Sequence, residues 1–276
     1  MQQEYLLKVP KWYKEETQEL ILTDDIDSLL GCSIINTKRN ATISAFYDFS
    51  TMYYTDMYKW TVDNNLHNEL IGVDCGLTHG KTYDNHVQRI ASHDKVNEES
   101  INFNVIDDIN CDNYFYKYCG STALMLWSLY DLELPKTEDG KMILLAIDSS
   151  FLGFYSDYEN NRCANKHYIV DVMGFNELYE VLERHTRQDF YSIIDKYNLK
   201  EKIVCKDGKL KTNIRIQEIA SQLGIDMKLP NDAFLIEQTY KTIKTNISSD
   251  SRFIKTMYDN IFSFALTGRN TIQFSR

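Results

Sequence analysis

Aspartates follow three short apolar runs in this 276-residue sequence. Residues 20–22 lead to Asp25 and Asp27, residues 70–73 lead to Asp74, and residues 142–147 lead to Asp148. Each run is typical of a buried strand, and the carboxyl ends of parallel strands lie at one edge of a sheet. The spacing therefore predicts four carboxylates at a single rim, where their mutual repulsion favours bound protons or bound cations.

An imidazole follows the second of these apolar runs. Asp84 and His86 lie ten to twelve residues beyond Asp74 and add a fifth acid and a nitrogen donor. Carboxylate oxygens with one imidazole nearby suit Mn²⁺ or Mg²⁺. The alternative is that each aspartate caps a helix by itself, with Asp84 and His86 in an exposed turn. The joint pattern favours the metal site.

Helix-length segments separate the predicted strands, which include a fourth strand at residues 43–47. Two serines are typical N-cap residues: Ser50, ahead of Met57 and Trp60 at helical spacing, and Ser121. Strands that alternate with helices predict an α/β fold with a doubly wound, mainly parallel sheet. Ligand sites in such folds lie beyond the carboxyl ends of the strands.

The composition changes in the last part of the chain. Basic residues are concentrated in residues 200–215, which is typical of a solvated face or a domain junction. We expect one domain over residues 1–198, which carries the carboxylates, and a smaller α+β domain over residues 199–276. In the smaller domain we expect Gly224 to end a helix and residues 271–275 to form a strand.

Charge and cysteine usage restrict the partners and the compartment. The sequence has 40 acidic and 30 basic residues and a formal net charge of −10, which argues against binding of long duplex DNA. The six cysteines form no CxxC pair, and no apolar run approaches the roughly 20 residues of a membrane span. We therefore expect a cytoplasmic protein without a membrane partner, and a homo-oligomer stays open.

One segment is rich in aromatic residues. Tyr114, Phe115, Tyr116 and Tyr118 follow each other closely. Such residues can form a platform on which nucleobases stack, or they can pack in the core. The sequence favours the second interpretation.

Four motifs, in this order, resemble those of the DHH phosphoesterases. That family includes single-strand exonucleases, nanoRNA hydrolases, cyclic-dinucleotide phosphodiesterases and manganese pyrophosphatases. The matching segments extend over about half of the chain: Asp25-Ile26-Asp27, Gly72-Val73-Asp74, Asp84-Asn85-His86 and Ala146-Ile147-Asp148. Asn85 stands where the family has the first histidine of its name-giving Asp-His-His triplet.

The resemblance implies two divalent cations, with Mn²⁺ expected first and Mg²⁺ second. Asp74 would bridge the two ions, with Asp25 on one side and Asp27 and Asp148 on the other. Asn85 would take the position of a histidine ligand. Because an amide oxygen is a poorer ligand for a transition metal than imidazole is, Asn85 shifts the preference towards Mg²⁺.

The resemblance also implies the residues that act on the substrate. Asp74, Asp84 and His86 would be catalytic, and His86 would approach the substrate phosphate. The C-terminal domain of the family clamps the substrate. Three basic residues are expected to contact the phosphate, with exposed solvated positions as the alternative: Lys81, Arg89 and Arg269.

These expectations combine into one function and its main alternative. The first is a metal-dependent phosphodiesterase that hydrolyses short oligonucleotides or small, including cyclic, nucleotides by metal-activated water. The alternative, motivated by Asn85, is a catalytically reduced relative that binds a nucleotide or a protein partner without hydrolysis. Hydrolysis of pyrophosphate is disfavoured, because the pyrophosphatases of the family use both histidines of the triplet.

Overall fold

The structure, a computed structural model, describes residues 1–247 and 260–276. The strands within these ranges are β1 (Thr17–Leu22), β2 (Asn40–Tyr47), β3 (Thr51–Thr55), β4 (Leu70–Val73), β5 (Thr82–Tyr83), β6 (Ser100–Ile101), β7 (Val204–Lys206), β8 (Lys209–Lys211), β9 (Phe234–Thr239), β10 (Thr242–Asn246), β11 (Ser263–Gly268) and β12 (Thr271–Ser275). The helices are α1 (Gln3–Lys8), α2 (Ile26–Lys38), α3 (Asp56–Asp63), α4 (Phe103–Ile106), α5 (Thr122–Leu129), α6 (Glu138–Ala146), α7 (Glu159–Lys166), α8 (Asn176–Arg184), α9 (Arg187–Tyr197) and α10 (Ile216–Leu223).

Seven of the described strands form a central sheet in the order β6-β5-β4-β1-β2-β3-β9. β1 is parallel to β2 and β4, and β4, β5 and β6 are parallel to one another. β3 pairs with β2 in the antiparallel sense, and β9 pairs with β3, also antiparallel. The expectation of an α/β fold with a mainly parallel sheet is confirmed, whereas the doubly wound topology stays a prediction.

Burial on both faces explains the continuous apolar character of the central strands. Leu20 and Leu22 of β1 pack into the main core with the helices. Ile21, between them, packs on the other face of the sheet with Tyr47 and Leu77. Because neighbouring side chains of a strand point to opposite faces, a strand covered on both sides needs apolar residues at every position.

Two local predictions are wrong. Residues 142–147 belong mostly to α6 and not to a strand, because Thr137 caps that helix by accepting from the Gly140 N–H. The Ser50 cap is also wrong: β3 comes first, since β-branched and aromatic residues favour a strand there, and Thr55 caps the following helix, α3.

Other predicted elements are confirmed. Ser121 caps α5 by accepting from the Leu124 N–H. Gly224 ends α10 in the left-handed conformation, with a φ of 70°. The strand predicted at residues 271–275 is β12.

The C-terminal part of the chain shares both the sheet and the core with the rest. β9 pairs with β3 at the edge of the central sheet. Ile203, Leu210 and Ile219 belong to the same apolar cluster as Leu20. β10, β12 and β11 form a separate three-stranded antiparallel sheet. The domain boundary after residue 198 stays a prediction about folding units.

Candidate metal centre

Four separate elements deliver carboxylates to the candidate site. Asp25 is the N-cap of α2, where it accepts the N–H of Asp27 and of Ser28. Asp74 follows β4 directly, and Asp84 follows β5, so both stand at the carboxyl edge of the sheet. Asp148 comes from the end of α6 instead of from a strand.

Two of the site aspartates have an unusual backbone conformation. Asp74 has a φ of 57°, Asp148 has a φ of 49°, and Ser149 follows with a φ of 62°. The left-handed region is unfavourable for residues other than glycine, although aspartate tolerates it better than most. Such conformations persist where the surrounding structure imposes them, and they are common at functional sites.

Thr122 connects the first two motifs. Its side-chain hydroxyl donates to Asp74 Oδ1 at 2.9 Å, and its backbone N–H donates to Asp27 Oδ2 at 2.9 Å. The Ala123 N–H donates to Asp27 Oδ1 at 2.7 Å. Asp27 therefore binds the amino terminus of α5, whose partial positive charge suits a carboxylate.

Asp84 orients the imidazole of His86. His86 Nδ1 lies 2.6 Å from Asp84 Oδ1. Asp84 Oδ2 accepts from Gln88 Nε2 at 2.9 Å and from Asn102 Nδ2 at 3.0 Å. Three partners thus hold a fully buried carboxylate in place, which fixes the ring of His86 in turn.

The side chain of Asn85 contacts Asp148 by donating a hydrogen bond to it. Its Nδ2 donates to Asp148 Oδ2 and to the Gly120 carbonyl oxygen, each at 2.8 Å. Because both acceptors bind Nδ2, they distinguish the amide nitrogen from the oxygen and fix the orientation of the side chain. Asn85 Oδ1 is buried without a hydrogen-bond partner among the described residues. This oxygen can accept from a water molecule or a bound ligand, since buried polar atoms are almost always paired.

Burial and mutual repulsion favour the protonated forms of this cluster in the absence of a cation. Burial raises the pKa of Asp27, Asp74 and Asp148, and neighbouring carboxylates raise these pKa values further. Burial by itself would lower the pKa of His86. The charge and hydrogen bond of Asp84, with the charges of Asp74 and Asp148, outweigh it and raise the pKa of His86 to about 10.

The donor set fits a divalent cation. One oxygen each from Asp74 and Asp84 and one ring nitrogen of His86 lie within 4.8 Å of one another. Ligand atoms on opposite sides of an ion bound at about 2.1 Å are about 4.2 Å apart, so the three groups are close enough to share one ion. Binding by both Asp84 and His86 would require some rearrangement, because Asp84 Oδ1 and His86 Nδ1 lie 2.6 Å apart and are hydrogen-bonded to each other. Oxygen with imidazole suits Mn²⁺, and the carboxylates also suit Mg²⁺.

The expected second cation has weaker support in the geometry. Both oxygens of Asp27 already accept backbone N–H groups of α5. Asp25 Oδ2 lies 3.2 Å from the ammonium of Lys202, which also contacts Asp24 Oδ1 at 2.9 Å. Lys202 therefore partly neutralises the position that the resemblance assigns to a metal ligand. Two ions stay a prediction.

The three basic residues expected at the phosphate lie in different places. The structure does not bring Lys81 to the cluster: it lies at the amino end of β5, with its ammonium 2.9 Å from Glu15 Oε1. Arg89 forms an ion pair with Asp108. Arg269 lies near a cavity beside the cluster, with its guanidinium 5.4 Å from the centre of the Phe115 ring.

Two cavities meet at residues 148–149. The aromatic cavity, about 370 Å³, has His86, Tyr114, Phe115 and Lys117 among its lining residues. The lysine cavity, about 240 Å³, is lined by Asp25, Asp27, Lys200 and Lys202 among others. Asp148 and Ser149 line both cavities. Asp148 therefore borders both cavities, with His86 lining the first and Asp25 and Asp27 lining the second.

Sequence reasoning missed several residues that complete the site. They are the partners of the site aspartates: Gln88, Asn102, Thr122 and Lys202. The run of small residues at the start of α5 is a sequence feature that could have identified Thr122. No local pattern marked the other three. Asn102 and Lys202 reach the cluster only through the tertiary fold, whereas Gln88 lies four residues from Asp84.

Comparison with protein-family models, with curated proteins and with solved structures finds no match for this chain. The resemblance to DHH phosphoesterases therefore stays a prediction. Among the described residues, none of the helices has the length and apolar character required to cross a bilayer.

Proposed function

We propose that this protein is a metal-dependent phosphodiesterase that hydrolyses short oligonucleotides or small, including cyclic, nucleotides in the cytoplasm. One observation carries the proposal: ligand atoms of Asp74, Asp84 and His86 converge within 4.8 Å. They do so beside Asp148, which lines a cavity large enough for a small molecule. Clustered acids with raised pKa values, here Asp74 and Asp148, are typical of functional sites.

The residues of the chain have distinct tasks in this proposal. Asp74, Asp84 and His86 would hold the cation, which would supply activated water and neutralise developing charge at the phosphate. Thr122 orients Asp74, and Asp84 orients His86. Hydrolysis adds water across the P–O ester bond, so that the water oxygen joins phosphorus and the leaving oxygen gains a proton.

The charge distribution favours a small substrate. A formal net charge of −10 repels a long phosphate backbone. Cationic side chains nevertheless line each cavity, with Lys117 in one and Lys200 and Lys202 in the other. A few phosphates bound next to a cation fit this arrangement better than an extended polymer does.

Release of mononucleotide from di- to pentanucleotides and cyclic dinucleotides, with Mn²⁺ or Mg²⁺, tests the proposal. We expect turnover that a chelator abolishes. Asp74→Asn should lower the rate by about 10²-fold or more, because it removes a ligand charge but can retain the bond from Thr122 and the left-handed backbone. The matched control is Asp157→Asn on the surface, which should retain wild-type activity. No turnover with either cation on any member of the panel would refute hydrolysis.

A second candidate function has its own observation. Asn85 donates to Asp148 where the resembled family has a histidine ligand, which favours a protein that binds nucleotides without cleaving them. Calorimetric titration with a dinucleotide, followed by product analysis, distinguishes the two functions. Tight binding without product favours the binding protein, and product favours the phosphodiesterase.

A further inference from the structure

The aromatic cavity has two chemically different ends. Asn85, His86 and Asp148 line one end, which belongs to the candidate metal centre. Phe115 and Leu152 are among the residues that give the rest of the lining its apolar character. The volume of about 370 Å³ lies in the range of roughly 300–1,000 Å³ that is typical of small-molecule sites. A ligand that fills it has one charged end and one apolar end.

Phe115 is the exposed ring of the aromatic end. It is 42 % exposed, whereas the neighbouring Tyr114 and Tyr118 are buried. The Phe115 ring lies nearly parallel to that of Tyr158, at an interplanar angle of 27° and a centroid distance of 6.4 Å. The guanidinium of Arg269 lies 5.4 Å from its centre. Accessible rings next to cations are the arrangement with which proteins stack nucleobases.

Two cationic side chains lie over aromatic rings that line the cavity. The ammonium of Lys117 is 4.9 Å from the centre of the Tyr114 ring, and Lys117 lines the cavity. Arg269, from the turn between β11 and β12, approaches the same wall. These charges offset part of the repulsion between the site aspartates and an anionic ligand.

We propose that the aromatic cavity binds the nucleobase and ribose of a single nucleotide unit, with the base against Phe115 and the phosphate at the His86–Asp148 end. The inference rests on the proposed function for the position of the phosphate. It adds a binding position for the base to that proposed function, and it excludes inorganic phosphate and pyrophosphate as ligands that would use Phe115, because neither has an apolar part.

Affinity for a nucleotide with and without its base tests this inference. The probes are AMP and ribose 5-phosphate, titrated calorimetrically with Mn²⁺ present. Because stacking on one aromatic side chain typically contributes a tenfold or larger factor, we expect AMP to bind about tenfold more tightly than ribose 5-phosphate. Phe115→Ala should reduce that ratio to about threefold or less, and Phe115→Tyr should retain it.

Tyr116→Ala is the matched control. Tyr116 is an adjacent aromatic residue, 52 % exposed, and it lines a different cavity, with Tyr5 and Asp107. The ratio of affinities should therefore stay at the wild-type value. Thermal melting of each variant checks folding, which an exposed ring is expected to affect little.

The outcomes separate this inference from the proposed function. Hydrolysis of dinucleotides together with equal affinities for AMP and ribose 5-phosphate would overturn the inference and leave the phosphodiesterase in place. Preferential binding of AMP that depends on Phe115, without hydrolysis of any substrate in the panel, supports the cavity and contradicts the phosphodiesterase. A preference for AMP that is unchanged in Phe115→Ala would also overturn the inference.

Discussion

At the scale of the residue, the site is a cluster of carboxyl groups that lie close together and are poorly hydrated. Asp27, Asp74 and Asp148 have raised pKa values because burial disfavours their charged forms and each is near other carboxylates. The imidazole of His86 compensates in part, and its own pKa rises to about 10. A divalent cation would replace the protons that these groups hold.

The raised pKa values determine how stability depends on pH. A group with a raised pKa binds more protons in the folded than in the unfolded state, so the free energy of unfolding falls as pH rises between its unfolded and folded pKa values. The carboxyl groups start this loss above about pH 4, and His86 continues it from about pH 6.5 to about 10. The metal-free protein should therefore be less stable at pH 8 than at pH 5.

Asp148→Asn tests this balance. Removing one charge from the repelling cluster should increase the free energy of unfolding of the metal-free protein at pH 8 by more than the roughly 0.5 kcal/mol scatter of surface substitutions. The amide oxygen that the substitution introduces can still accept the hydrogen bond from Asn85. Urea unfolding at pH 5 and pH 8 measures the effect, and Asp157→Asn serves as the exposed control. A variant less stable than wild type at pH 8 would contradict the repulsion argument.

At the scale of the element, α2 positions the first motif by packing closely against β4. A Cβ atom on Gly31 would lie 2.6 Å from Val73 Cγ1 and 3.2 Å from Leu126 Cδ1. Glycine is therefore required for the close approach of α2 to β4 and α5. That approach places Asp25 and Asp27 next to Asp74.

Gly31→Ala should separate these elements. We expect overpacking to cost about 1–3 kcal/mol, which equals or exceeds the roughly 1 kcal/mol that alanine gains in helix propensity. The affinity for Mn²⁺ should fall several-fold, because Asp27 would move away from the other acids.

Gly224→Ala is the matched control for this prediction. Gly224 has a positive φ, 70°, but nothing within 4 Å of an added Cβ, so only backbone strain of about 1 kcal/mol is expected. Its affinity for Mn²⁺ should equal that of wild type. A Gly31→Ala protein that binds Mn²⁺ as tightly as wild type would show that the spacing of α2 is not needed by the site.

At the scale of the whole molecule, the C-terminal sheet closes one side of the site. The Phe264 N–H donates to the Gly76 carbonyl oxygen at 2.8 Å, and the Leu266 N–H donates to that of Val87, also at 2.8 Å. These bonds attach β11 to the loops that carry Asp74 and His86. Residues close to the two ends of the sequence thus surround one centre.

Binding of a cation should stabilise the whole chain. At a Mn²⁺ concentration about 100 times the dissociation constant, mass action adds about 2.7 kcal/mol to the free energy of unfolding. The increase in melting temperature should be larger at pH 8 than at pH 5, because protons compete for Asp74 and His86. Asp74→Asn should lose most of the increase. Equal increases at the two pH values would argue against binding at this cluster.

The site residues could be predicted from sequence to different degrees. Asp25, Asp27 and Asp74 follow strands whose apolar runs are unambiguous, so their common rim could be predicted from the order of elements. Asp148 was expected after a strand and follows α6 instead. A short apolar run that is buried all round has no periodicity with which to distinguish a strand from a helix.

Local sequence by itself determined which residue types are available and where most elements begin and end. N-cap side chains, β-branched runs and the glycine at the end of α10 act within a few residues, so their effect is independent of the rest of the fold. Only the tertiary structure decided that Lys81 lies far from the cluster, that Lys202 contacts Asp25, and that Phe115 opens into a cavity. Those placements depend on packing between segments distant in the chain, which no local pattern specifies.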